Sequence, residues 1–194
     1  AVSAGVTAGW GQFDTERRLA FGGTPELAEG EQDVTALGAR LRAAYTVGFE
    51  AAYLRPALDL DVIHVDAGGY AERGAGALDL AVSGSDETAF VATPSVEGGA
   101  VFDIAEGLAL RAYARAGASF STVDSFAAEA RFAGAPAGTG SFASAVAVAD
   151  TVGRVSAGLR LMSETWMDVD LRYDGAFAGD FTEHAARLNI AVRF

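Results

Sequence analysis

From 166 to 177 the residues Met167, Val169, Leu171, Tyr173 and Phe177 alternate with Asp168, Asp170, Arg172 and Asp174. A period of two places an apolar row on one face of a strand and an ionic row on the other. The same division recurs along the chain. In 108–122, Leu108, Leu110 and Phe120 alternate with Arg111, Tyr113 and Arg115; in 54–65, Leu54, Leu58, Leu60 and Val62 oppose Arg55, Asp59 and Asp61. In 35–47, Leu37, Leu41 and Tyr45 oppose Arg40 and Arg42, and in 151–161, Val155, Leu159 and Leu161 oppose Arg154 and Arg160. Segment 2–10 sets Val2, Val6 and Trp10 against glycine, serine and threonine; 90–102 sets Phe90, Val96 and Phe102 against Thr93, Ser95 and Glu97. The chain closes on Leu188, Ile190, Val192 and Phe194, interleaved with Arg187, Asn189, Ala191 and Arg193. The pattern predicts about eight strands of ~10 or more residues, longer than the usual 5 to 6 of soluble sheets. Pro56 and Pro94 count against their two segments, because proline has no N–H to give a ladder.

The links between these strands are lopsided. Those at 17–32, 66–86 and 123–150 are long and polar, with a shorter one at 178–182, whereas those at 48–50, 103–107 and 162–165 are tight. Consecutive antiparallel strands put alternate links at opposite ends, so long loops gather at one rim and short turns at the other, as in membrane barrels. On the apolar face the aromatics sort by depth. Trp10, Phe90, Phe120 and Phe177 fall toward the long-loop rim; Tyr45, Phe49, Phe102, Trp166 and Phe194 fall near the short-turn rim. These are the expected interfacial girdles.

Removing many arginines and aspartates from water is tolerable only if they pair around a wet interior, and a continuous row of Leu, Val and Phe can face outward only in lipid. The polar face is therefore expected inside, carrying Arg40, Arg42, Arg55, Arg111, Arg115, Arg154, Arg160, Arg172, Arg187 and Arg193 against Asp59, Asp61, Glu97, Asp103, Asp168, Asp170 and Asp174. Composition narrows the picture further. No run of residues approaches the roughly 18 to 20 apolar residues of a membrane helix. Every basic residue is arginine and the net charge is −12, which argues against nucleic acid as a partner. Cysteine is absent, so neither disulfides nor thiolate metal sites arise. Ala1 is not an initiator methionine, and the chain is read as a processed or truncated piece of 194 residues forming one domain.

Several spaced segments together resemble the carboxy-terminal translocator domain of bacterial autotransporters: YLRPALDLDVIHVDAGGYAERGAGALDLAVSG, RFAGAPAG, VGRVSAGLRL, YDGAFAGDFTEHA and the closing VRF. The likeness runs from about Gly9 to the end. It implies an all-β, antiparallel, up-and-down transmembrane β-barrel of about twelve strands in the outer membrane of a Gram-negative bacterium, preceded by a pore-crossing helix and an exported passenger. This chain would then correspond to the last two-thirds of such a barrel, lacking its first strands. The chain departs from the family around 112–121, where Tyr113 and Ser119 stand in place of the usual tryptophan and histidine. The resemblance also implies that Phe194, with Val192, Ile190 and Leu188 behind it, is the signal read by the barrel assembly machinery. Partners so implied are outer-membrane lipid, that machinery and a covalently linked upstream passenger, with the barrel itself a monomer and no cofactor.

Other chemistry is weaker. Asp59 with Asp61, and Asp168 with Asp170, could chelate a divalent cation, but each pair shares a wall with arginines and ion pairing is the favoured reading. His64 and Asp66 near the long-loop rim could form a hydrolytic dyad of a barrel protease, against the plainer reading of a lone interfacial histidine. His184 has no evident partner in the sequence. The glycines of GGYAERGAG have no strand-to-helix turn after them and read as a loop. A self-contained structural or adhesive barrel of about eight strands, and a soluble ligand-binding barrel, are the remaining alternatives to a translocator.

Overall fold

The computed structural model describes residues 1–21, 24–136, 138–179 and 181–193. Strand β1 (Val2–Phe21) pairs along its whole length with β2 (Thr24–Ala44). The segment 17–32, expected as a loop, instead continues both strands outward: Arg17 pairs with Ala28 and Leu19 with Glu26. The period-two pattern had blurred there because the hairpin has left the apolar surroundings that impose it. After β2 come β3 (Val47–Phe49), β4 (Ala52–Ala67), β5 (Tyr70–Ala71), β6 (Leu80–Val82) and β7 (Ser85–Ala105). These are followed by β8 (Leu108–Ser121), β9 (Ser125–Phe132), β10 (Phe142–Ala147), β11 (Thr151–Ser163), β12 (Met167–Ala178) and β13 (Phe181–Val192). The large sheet runs β1-β2-β4-β7-β8-β11-β12-β13, with β3 a short flap on β4, and every pairing is antiparallel. Sequence neighbours are thus spatial neighbours, the up-and-down order of a barrel wall. Among the described residues β1 and β13 do not pair, so the curl is open between them.

The segments 66–86 and 123–150 are not plain loops. They contribute β5, β6, β9 and β10 to a second sheet of order β10-β9-β6-β5 at the rim opposite the short turns. An isolated bridge between Glu29 and Arg73, with backbone hydrogen bonds of 2.9 and 2.8 Å, joins this rim sheet edge-on to β2 above the point where β4 stops. The rim sheet thus extends the wall.

Both prolines lie inside strands, contrary to expectation. Pro56 pairs with Val96 and Pro94 with Leu58, on the outer face. The β7–β8 ladder is interrupted at Thr93 and Pro94, between the pairs Ala92–Phe120 and Ser95–Gly117. There the hydroxyls of Thr93 and Ser119 bond across the gap at 2.9 Å on the inner face. The missing N–H of proline is thus absorbed where side chains can bridge the ladder.

Among the described residues the buried apolar side chains are few and small: Ala28, Ala75, Val123, Ala130 and Ala176. The large ones stand on the outside. Leu159, Leu171, Leu188, Ile190 and Val192 are all exposed, in one continuous belt set by register. A belt of this kind is not sustainable in water. It is what a sheet presents to hydrocarbon, while its closed backbone ladders leave few groups unsatisfied there.

Candidate functional site

The register of β4 fixes the inner face: Tyr53, Arg55, Asp59 and Asp61 point one way, and Leu54, Leu58, Leu60 and Val62 the other. Opposite Asp59 and Asp61 on β2 stand Arg42 and Arg40; on β7 stand Thr93 and Val91, with Glu97 opposite Arg55. Arg40, Arg42, Asp59, Asp61, Arg115, Arg154, Arg172 and Asp174 all line one cavity on the inside of the curl.

Charges there are paired across strands. Asp61 accepts from Arg40 Nε at 2.5 Å, while Asp59 lies 3.5 Å from Arg42 and 3.1 Å from Arg115. Glu97 is the densest node. Its Oε1 accepts from Tyr53 Oη, Arg55 Nη2 and Arg111 Nη2, each at 2.7 Å, and its side chain is 8% exposed. Arg111 also donates to Tyr53 Oη and lies between the rings of Tyr53 and Tyr113, 5.2 and 5.1 Å from their centroids, where each π-face attracts the cation. A carboxylate this buried is stable only with such partners.

The other expected inner charges are less engaged. Arg172 bonds Asp174 two residues along its own strand, at 2.6 Å, and Arg193 holds Asp168 at 2.6 Å. Arg154 donates to the Ser119 hydroxyl at 2.7 Å. Arg160 stands opposite both Arg111 and Asp170, and Arg187 opposite Arg172, without an ion pair among the described residues. Asp103 sits at the register shift that ends β7 and likewise has no pair.

Tyr53 escaped the sequence reading, although it shares parity with Arg55 and Asp59; carrying the alternation one step earlier would have found it. Its ring fills the space over Gly99, where an added Cβ would lie 2.5 Å from Tyr53 Oη, and Tyr113 occupies the same relation to Gly158. Both tyrosines need a glycine neighbour.

On the outer face, Phe90, Phe120 and Phe177 lie on the long-loop half of their strands, Trp10 lies near the middle of the extended β1, and Tyr45, Phe49 and Phe102 lie near the short turns; all are exposed. Trp166, expected with the last group, is exposed in the turn before β12, where its carbonyl accepts from the Arg193 N–H and its parity is that of the inner Asp168. Leu188, Ile190 and Val192 pair with Leu171, Val169 and Met167. Phe194 lies outside the described residues. The two histidines are also outward. His64 bonds the Thr88 hydroxyl at 2.9 Å and not Asp66, whose cross-strand neighbour is Asp86. His184, expected to be alone, bonds Tyr173 Oη at 2.6 Å and meets Phe177 edge-on, a contact between strands that the sequence does not display.

Where the wall rises into the rim sheet, Arg17 and Glu72 form a further ion pair. Arg17 Nε donates to Glu72 at 3.0 Å, its Nη2 bonds the Leu78 carbonyl at 2.7 Å, and Leu80 N–H donates to Glu72 at 2.8 Å. The bond from Arg17 holds the Glu72 carboxyl below its usual range, against burial, which acts to raise it.

This wall, greasy outside and ionic inside with all its long connections at one rim, matches the Autotransporter beta-domain over residues 1–187. The chain belongs to the autotransporter β-domain family. The β-domain is an outer-membrane translocator barrel, antiparallel and up-and-down, as the strand order here is. A search of curated proteins finds no match. Among solved structures, the β domain of the Bordetella autotransporter BrkA aligns over 96% of this chain and 89% of its own, at 18% identity and a TM-score of 0.34. The family assignment does not rest on that alignment.

Proposed function

We propose that this β-domain sits in the outer membrane of a Gram-negative bacterium, anchors an N-terminal passenger and gives it passage to the cell surface. The single observation that supports this best is the ionic face, whose arginines and carboxylates converge on one cavity from six of the seven adjacent strands β2 to β13 that line it. In this reading those charges line a lumen wet enough for a polar chain to cross, with Arg154, Arg160 and Arg187 left to meet it. The two aromatic sets seat the barrel at its interfaces. Leu188, Ile190, Val192 and Phe194 form the segment the assembly machinery reads, and the inserted barrel works as a monomer.

The open edges of β1 and β13 belong to the same reading. Unpaired backbone at membrane depth is costly, and strands N-terminal to Ala1 would pair with them and complete the cylinder. Expressed from Ala1, the chain should lack the heat-modifiable gel mobility of a closed barrel.

The test of the function uses intact cells making the full precursor. Protease added outside should digest the segment upstream of Ala1 while the barrel stays embedded and heat-modifiable. An inserted barrel whose upstream segment stayed protected until lysis would refute the translocator role.

A further inference from the structure

The outer face holds almost no base. Every arginine of the large sheet at membrane depth, from Arg40 on β2 to Arg193 after β13, has the parity of the inner face. The two histidines are the exceptions, and both stand outward beside an aromatic of the long-loop set. His64 lies opposite Thr88, the next outward residue before Phe90, and His184 lies opposite Gly175 and against Phe177. Each uses the same ring nitrogen in the same way: Nδ1 meets the Thr88 hydroxyl at 2.9 Å in one and the Tyr173 hydroxyl at 2.6 Å in the other.

The hydrogens of such a pair leave one donor over. A neutral imidazole carries one N–H and a hydroxyl one O–H; the bond between them spends one, and the other is left to find an acceptor. If Nδ1 accepts, the remaining donor is Nε2–H; if Nδ1 donates, it is the hydroxyl's own hydrogen. At His64 carboxylates already stand close, since the next outward pair on β4 and β7 is Asp66 with Asp86. At His184 none does. Among the described residues the outward side chains of β12 and β13 include no carboxylate, and Glu183, next to His184 in sequence, lines the inner cavity. The site is also built. The imidazole stacks 6.0 Å from the Tyr173 ring and meets Phe177 edge-on at 5.7 Å. Tyr173 and Phe177 converge over Gly175, where an added Cβ would lie 3.1 Å from Tyr173 Oη and from the Phe177 ring. Three rings thus frame a slot over one glycine, and Thr182, opposite Phe177 on the same face, adds a hydroxyl on the long-loop side.

We propose that the Tyr173–His184 slot binds the phosphate of an outer-leaflet lipid headgroup. A phosphate oxygen accepts from the hydrogen that the pair has left and from the Thr182 hydroxyl, and an acyl chain of the same lipid descends over Ala186 and Leu188, the next outward residues of β13. The proposal rests on the reading of this wall as an outer-membrane barrel. Depth and chemistry choose the occupant. The slot lies between the apolar belt that meets hydrocarbon and the connections that meet water, which is the headgroup zone. An ionised phosphate is an acceptor that strengthens each donor it takes, whereas a metal cation finds no carboxylate in the slot. With no arginine facing outward at this depth, the imidazole has no guanidinium beside it to compete for the headgroup.

The experiment takes the full precursor, purified in an uncharged maltoside detergent, and titrates its heat-modifiable fraction with a diphosphorylated glucosamine lipid, counting bound lipid by native mass spectrometry. His184→Ala should bind the lipid roughly tenfold more weakly than the parent, the loss expected for one hydrogen bond to a charged acceptor. Tyr173→Phe should weaken it several-fold, because the imidazole loses the hydroxyl that orients it, and His184→Gln, which keeps an N–H donor, should fall between parent and His184→Ala. His64→Ala should match the parent. Removing the phosphates from the lipid should bring the parent down to the level of His184→Ala and leave that variant unmoved. Equal binding by the parent and His184→Ala, or equal binding of the phosphorylated and dephosphorylated lipids by the parent, would overturn the proposal. Millimolar inorganic phosphate should leave the lipid bound; full displacement would make the slot a site for free anions and would overturn the lipid assignment. A parent precursor that fractionates away from the outer membrane and shows no heat-modifiable form would sink the barrel reading instead, before any lipid is added.

Discussion

Replacing Glu97 by alanine removes the acceptor shared by Tyr53, Arg55 and Arg111. Losing one member of a buried charge cluster typically costs about 3 to 5 kcal/mol, because the remaining charges stay buried without their partner. Here two features pull the value down. The Arg55 and Arg111 side chains are 33% and 25% exposed, so both reach water, and Arg111 keeps its bond to Tyr53 and its contact with the Tyr113 ring. The expected cost is therefore about 2 to 3 kcal/mol, at the low end of that range and below it. Glu97→Gln keeps an acceptor and loses the charge, and should cost roughly half as much, since hydrogen bonds to charged groups are about twice as strong as neutral ones. The assay is a urea titration of the complete β-domain in detergent or bilayers, read by the fluorescence of Trp10 and Trp166. Both tryptophans are exposed, and neither is a partner in the cluster. A Glu97→Ala variant within experimental error of the parent would show that the cluster is solvated through and that the cavity is open water at this depth.

Arginine at Leu159 or Leu171, both on the exposed apolar belt, should cost about 2 to 4 kcal/mol near the midplane, whereas Ser156→Arg, which points into the cavity opposite Asp174, should cost much less; equal costs in refolding titrations would show the register to be wrong. Deleting Phe194 or replacing it with aspartate should lower the amount of β-domain in the outer membrane, measured by fractionation, and normal levels would remove it from the assembly signal. Because the folded Glu72 carboxyl titrates below its unfolded value, its contribution to the rim sheet is present at neutral pH and is lost as pH falls through the folded value. Proteolysis within 66–86 should therefore accelerate on acidification, and Glu72→Gln should be susceptible already at neutral pH; a Glu72→Gln chain keeping the parent's pH profile would contradict this.

At membrane depth the fold was legible because lipid on one side and water on the other force strict alternation, so Leu159 and Arg160 declare their faces without help. Above the membrane that forcing stops. Glu26, Glu29 and Glu31 on β2 look like a solvated loop although they are paired strand, and β9 and β10 are too rich in alanine to show a face. The inner charges could be named one by one from the alternation, but not their pairing: that Arg115 reaches Asp59 across the intervening β7 depends on Ser95 being small enough to let it by, and Ser95 in turn accepts from Arg115 at 2.8 Å. The Tyr173–His184 contact was invisible for the same reason, since it exists only once Gly175 and His184 are set opposite each other.

A strand whose greasy and polar residues simply alternate carries an ambiguity: sliding it two places past its neighbour returns every side chain to an acceptable face. For β4, β7, β8 and β11 the alternation alone would permit several such offsets. Tyr53 and Tyr113 flank Gly99 from either side, and Tyr113 is matched again to Gly158. Shift β4 by two and the Tyr53 ring falls on Glu97 or Val101 instead of on bare backbone; shift β11 by two and the Tyr113 ring falls on Ser156 or Arg160. Two rings and two glycines therefore act as an alignment key over four strands, selecting one offset where hydropathy accepts many, and a methyl group added at Gly99 would jam the key against the Tyr53 ring, as one at Gly158 would against Tyr113.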